Sequence, residues 1–153
     1  MTSGRPTISE VIGDWLRSRD LPHSWEDPGR LVAFPASSED HSWTVYALCI
    51  DQVGQLLVHS VRDDRIPEGR RAAVGTFVTR ANYGMVLGNF EMDLDDGELR
   101  FKTSIDVGGD RLSEALLEHL VLANIAAFGR YLPGIDAVVS GTEPDAAIES
   151  VEG

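Results

Sequence analysis

One cysteine, Cys49, stands in 153 residues. A lone cysteine excludes an intrachain disulfide and a cysteine-rich zinc site. Its place in the apolar run from Tyr46 to Ile50 marks it as a small buried hydrophobe. Lysine is as scarce: twelve of the thirteen basic residues are Arg, which reads as compositional bias. Basic side chains are outnumbered by 25 acidic ones, for a formal net charge of −12. An acidic surface repels polyphosphate and anionic lipid, so no nucleic-acid or membrane partner is expected. No apolar run approaches the roughly 18 residues of a membrane span, and no charged-then-apolar leader opens the chain. The expectation is a soluble, cytoplasmic protein.

Signals of chemistry are sparse too. Gly108-Gly109-Asp110 lacks both the P-loop lysine and the dinucleotide fingerprint, and reads as a tight turn before a helix. No serine sits in a nucleophile elbow. His23, His41, His59 and His119 are scattered, with no ligand partner at helical or hairpin spacing. Glu39-Asp40-His41 are neighbours on one loop, an arrangement that seldom converges on a single ion. Glu91, Asp93, Asp95, Asp96 and Glu98 bunch around a turn without EF-hand spacing, and read as a polar guard on a hairpin. Arg62, Arg65, Arg70 and Arg71 alternate with Asp63, Asp64 and Glu68, a self-compensating connector. No catalytic residue, metal ligand or cofactor site is expected. An enzyme would need a cleft with two convergent titratable groups, His59 or His119 among them.

The patterning that is present is clearest from Met85 to Val107. Phe90, Met92 and Leu94 alternate with acids, and Leu99, Phe101, Ile105 and Val107 alternate with polar residues. Asp96-Gly97 between them predicts a tight hairpin turn. Before it, Met1 to Pro6 reads as a flexible lead. Thr7 and Glu10 make a capping-box pattern for a first helix, whose Ile8, Val11, Ile12, Trp15 and Leu16 share one stripe and which Pro22 ends. His23 to Gly29 reads as a loop. Strands are predicted at Arg30–Pro35, Trp43–Ile50 and Gln55–Val61, the middle one mostly apolar on both faces and therefore either central in the sheet or covered on both sides.

A second helix opens at Ile66-Pro67-Glu68, with Val74, Phe77, Val78 and Ala81 facing the core. Its opposite stripe, Ala72, Gly75, Thr76, Thr79 and Tyr83, is small and uncharged. That stripe reads either as a helix-to-helix subunit contact or as a weakly polar exposed face. A third helix spans about Leu112 to Tyr131, apolar on two sides. Pro133-Gly134 is expected to break it, with a short helical turn over Ile135 to Val139. From 141 to 153 the chain is acidic and is expected to be a flexible tail.

The predicted fold is therefore α+β, in the order α-β-β-β-α-β-β-α, an antiparallel sheet packed against helices, with one domain over 1–140. This order resembles the YbjN-like family, small bacterial proteins assigned to sensory transduction regulation. The resemblance rests on Asn82, Leu87-Gly88-Asn89-Phe90, the acidic turn with Gly97, Thr103-Ser104-Ile105, and Leu112 through Tyr131-Leu132-Pro133. It implies a fold like that of type III secretion chaperones and a non-enzymatic homodimer that holds a client protein segment. It also implies a dimer contact on the second helix and following strand, in agreement with the small-residue stripe. Trp15 and Trp43 are the aromatic candidates for client contact. A small-molecule sensor is the alternative, and would require an apolar pocket with convergent polar groups.

Overall fold

The computed structural model describes residues 4–153. Residues 1–3 of the expected lead lie outside the described residues. In chain order the elements are α1 (Ile8–Ser18), β1 (Ser24–Asp27), β2 (Leu31–Ser38), β3 (His41–Ile50), β4 (Gln55–Val61), α2 (Arg71–Asn82, after a 3-10 turn at Glu68–Arg70), β5 (Asn89–Met92), β6 (Leu99–Asp106), α3 (Glu114–Val139) and α4 (Pro144–Glu152). The six strands form one antiparallel sheet ordered β1-β2-β3-β4-β6-β5. β4 passes through α2 to the far edge, and β6 returns between β4 and β5.

Local chemistry sets the helix ends. The Thr7 side chain accepts from the Glu10 amide at 3.2 Å, as the capping pattern predicts. Asp51, in the β3–β4 turn, accepts from the Ser9 amide and, at 2.8 Å, from its hydroxyl. A carboxylate at a helix N-terminus is also favoured by the helix dipole. α1 stops at Arg19, one residue before Asp20 takes a φ of 52°, so the chain turns ahead of Pro22.

α1, α2 and α3 gather on one face of the sheet, and α4 packs on α2 and α3. The core lies between sheet and helices. Trp43, Val45, Ala47 and Cys49 of β3 point into it, as do Leu56 and Val58 of β4 and Leu99 and Phe101 of β6. Phe90 joins strands to helices, its ring centroid 4.9 Å from Phe101 and 5.7 Å from Tyr131. Each such ring contributes about 2–3 kcal/mol of burial. One polar chain crosses this core. Trp43 Nε1 donates to Ser60 Oγ at 2.9 Å, Ser60 Oγ donates to Asn124 Oδ1 at 2.6 Å, and Asn124 Nδ2 reaches the Val58 and Phe101 carbonyls.

Three expectations are corrected and one alternative is decided. Residues 24–27, read as loop, form edge strand β1, because Ser24 and Trp25 register with Ala33 and Val32 of β2. For β3 the structure takes the first of the two readings: it is central, between β2 and β4, with one face covered and Tyr46, Leu48 and Ile50 half-buried on the other. α3 runs unbroken through Pro133, since burying Ile135 and Val138 outweighs one forfeited helical hydrogen bond. Residues 144–152 of the expected tail are a helix. Pro144 starts it, Ala147 is buried, Arg80 pairs with Asp145 at 2.7 Å and Tyr131 donates to Glu152 at 2.7 Å.

The β5–β6 connection is also wider than a two-residue hairpin. Gly97 takes a φ of 82° and lies against Ile66, where a Cβ would come within 2.3 Å of the carbonyl oxygen. Only glycine fits both the backbone conformation and the space. The nearby acids serve the turn: Asp93 accepts from the Asp95 amide and Asp96 from the Glu98 amide.

Candidate functional site

Two surfaces stand out: the edge formed by α2 and β5, and the open face of the sheet. At the edge, Ala72, Gly75, Thr76 and Thr79 line one wall of a groove of about 680 Å³, with Phe90, Met92 and Leu94 opposite. The hydroxyls of Thr76 and Thr79 fold back onto the carbonyls of Ala72 and Gly75, at 3.3 and 2.7 Å. Their hydrogen-bonding capacity is thus met within the helix, and the wall presents mainly methyl groups. Tyr83, the fifth residue of the predicted stripe, follows the helix in extended conformation and is 91 % exposed.

Beyond it, Val86 (93 % exposed), Leu87 and, across the groove, Leu94 are large apolar side chains in water. Residues 85–87 open the patterned stretch that predicts the hairpin, but lie ahead of β5. The signal that they form a loop is the flanking pair Gly84 and Gly88, with φ of 79° and 78°.

β5 is an edge strand, and edge strands invite pairing with another chain. Here Asn82 occupies the invitation. Its Oδ1 accepts from the Phe90 amide at 2.7 Å and its Nδ2 donates to the Phe90 carbonyl at 3.2 Å. The side-chain amide stands in for the backbone of a neighbouring strand. A partner at this edge therefore meets side chains of α2 and β5, with the central backbone groups of β5 already taken.

Trp15 and Trp43, the expected client contacts, are 5 % and 4 % exposed and belong to the core. Trp15 faces inward because it shares its stripe with Ile8, Ile12 and Leu16. Trp43 lies on the covered face of β3, against Phe128 at 5.1 Å. Neither is available to a client.

The open face carries the alternate residues of the strands. Asp27, Arg30, Leu31, Tyr46, Leu48, His59, Val61, Glu98 and Arg100 line a depression of about 490 Å³. Tyr46 opposes His59 across β3–β4, and His59 opposes Lys102 across β4–β6. Lys102 is the chain's single lysine. Glu91 joins them, 3.3 Å from Lys102 Nζ, 3.2 Å from Arg100 Nε and 3.8 Å from His59 Nε2. Burial, then the charge of Arg100, pushes the His59 imidazole down to about 4, with Lys102 adding to that and Glu91 opposing it. His59 is therefore neutral near pH 7. Burial works to raise the Glu91 carboxyl, but Arg100 and Lys102 outweigh it and hold the group below its ordinary value.

Two histidines thus lie beside acids, since His41 Nε2 is also 3.0 Å from Asp136. Arg62 donates to the same carboxylate, tying β4 to the C-terminal part of α3. Among the described residues no Ser, Thr or Cys side chain hydrogen-bonds either ring. Burial raises the Cys49 thiol to about 12, which removes it as a nucleophile. Among the described residues no group of three His, Cys, Asp or Glu is placed to hold a metal. No helix among them is long and apolar enough to cross a membrane.

No curated protein matches the sequence. A solved structure does resemble it in fold: the crystal structure of YbjN, "a putative transcription regulator from E. coli", superposes with a TM-score of 0.58 at 10 % identity, over 88 % of this chain and 93 % of that one. Residues 9–137 match the YbjN family, described as "Putative bacterial sensory transduction regulator". That match covers most of the chain, with every strand, α2, all but the ends of α1 and α3, and both surfaces, and the chain accordingly belongs to the YbjN family.

Proposed function

We propose that this protein is a non-catalytic regulatory module that works as a homodimer and binds a segment of a client protein. The observation that carries the reading is the α2–β5 edge. Apolar side chains stand in water there beside a groove walled by small residues, while the adjacent strand edge is closed by Asn82. Exposed apolar surface of this kind marks protein contact. A groove of small residues lets another backbone approach closely, and a twofold axis through it would make the patch self-complementary.

The subunit contact is assigned to Ala72, Gly75, Thr76, Thr79 and Tyr83, and the client contact to Val86 and Leu87 beside it. The family's description, which names regulation and no reaction, supports the non-catalytic part. The chaperone likeness suggests an extended client.

Sedimentation velocity at micromolar concentration tests the dimer. The wild type should sediment as a dimer. Thr76→Arg, which places a charge in the groove wall, should sediment as a monomer with an unchanged circular dichroism spectrum. A monomeric wild type would remove the dimer from the reading. Affinity capture with the Val86→Asp/Leu87→Asp variant as control tests the client contact, and a client retained equally by both proteins would place it elsewhere.

A further inference from the structure

The open face of the sheet has no part in that reading, and its depression has the features of a small-ligand site. About 490 Å³ falls within the roughly 300–1,000 Å³ usual for such sites. The floor is apolar or uncharged: Tyr46, Leu48 and Val61, with the neutral ring of His59 among them. Two guanidinium–carboxylate pairs line the depression, Arg30 with Asp27 at 3.9 Å and Arg100 with Glu98. Arg100 Nη1 and Glu98 Oε1 are 3.8 Å apart, beyond hydrogen-bond reach. Arg100 engages Glu91 through Nε, leaving its Nη groups without a hydrogen-bond partner among the described residues. The Glu98 carboxylate likewise has none among them. Both groups are more than a third exposed. An open Arg–Glu pair above an apolar floor is the complement of a zwitterionic head on an apolar body.

We propose that this depression binds a free α-amino acid with a large apolar side chain, its carboxylate on Arg100, its ammonium on Glu98 and its side chain on Tyr46, Leu48 and Val61. Charge complementarity selects this ligand over the alternatives. A simple organic acid would satisfy Arg100 or Arg30 but bring its charge against the Glu98 or Asp27 carboxylate beside it. An amine would do the reverse with Arg100. The site lies on the sheet face opposite the helices and does not depend on the dimer.

The probe is 4-fluoro-L-phenylalanine, followed by fluorine NMR line width on the full chain. Saturable binding is expected. 3-(4-Fluorophenyl)propionate and 4-fluorophenethylamine, which each lack one charge of the head, should bind about ten-fold more weakly, the cost of one charge-assisted contact. Glu98→Gln and Leu48→Glu should each weaken the amino acid by a similar factor or more. Thr76→Arg should leave its affinity unchanged, which separates this site from the subunit contact. Absence of saturable binding would overturn the proposal, as would equal affinity for the three probes or undiminished binding to both folded sheet-face variants. Loss of the dimer in Leu48→Glu would overturn it too, by making this face a subunit contact.

Discussion

Asn124 does more for the core than its type suggests. It accepts from Ser60 and donates to two strand carbonyls, and so bridges α3 to β4 and β6. Asn124→Leu keeps the volume but leaves the buried Ser60 hydroxyl without its acceptor. The expected loss is about 2–4 kcal/mol, read from the urea midpoint. His59 makes a different demand. Its imidazole titrates near 4 when folded, against an ordinary 6.5. Above 6.5 both folded and unfolded chains hold it neutral and stability is unaffected. As pH falls, the unfolded chain binds the proton first, so stability is lost from about 6.5 down through 4, by up to about 3 kcal/mol. Tyr46, Glu91, Arg100 and Lys102 face this ring from the neighbouring strands, and Glu91 must stay charged for the window to hold. His59→Gln should flatten the stability–pH curve over that window. An unchanged slope would assign the loss to the carboxylates.

β5 and α4 show how elements are secured. β5 has four residues and a bare outer edge, and Asn82 caps its centre with two hydrogen bonds. Asn82→Ala should cost about 1–2 kcal/mol and free the Phe90 backbone groups. It should also raise concentration-dependent light scattering through edge pairing. α4 covers the α2–α3 pair. At Gly134 a Cβ would sit 2.6 Å from the Phe77 ring and 3.1 Å from Val151 of α4, so these helices meet through a missing side chain. Truncation after Thr142 should remove about 2 kcal/mol, a fall of roughly 4–8 °C in Tm for a chain of this size. A truly flexible tail would leave Tm where it was.

In the molecule as a whole, the sheet has a helix-covered face and an open one, and the two proposed functions occupy different places on it. The proposed subunit contact is lined mainly by small and apolar residues, whereas each copy carries a net charge of −12. Added salt screens the repulsion between copies and leaves apolar burial intact, so dimerisation should tighten from low to physiological ionic strength. Sedimentation over a salt series reads this directly, and a dimer that weakens with salt would point to a contact made by ion pairs.

Periodicity by itself determined most of the frame. The apolar stripe of α1, the core face of α2 and the alternation of β3, β4 and β6 are local patterns of period 3.6 or 2, so residues a few positions apart reveal their shared face. Gly97 was legible as a turn residue, and the groove wall of Ala72, Gly75, Thr76 and Thr79 was legible as a stripe too small and uncharged for ordinary solvent exposure. Asn124 was readable in principle, as a polar residue on the buried stripe of Leu117, Val121 and Phe128, though its acceptors on β4 and β6 were not. What tertiary structure alone decided was cover. Whether β3 has one packed face or two, whether Trp15 and Trp43 are buried, whether Pro133 ends a helix and whether residues 144–152 dock all turn on contacts between distant parts of the chain. The open depression is of the same kind, since Leu48, His59 and Arg100 come together only when three strands align in register.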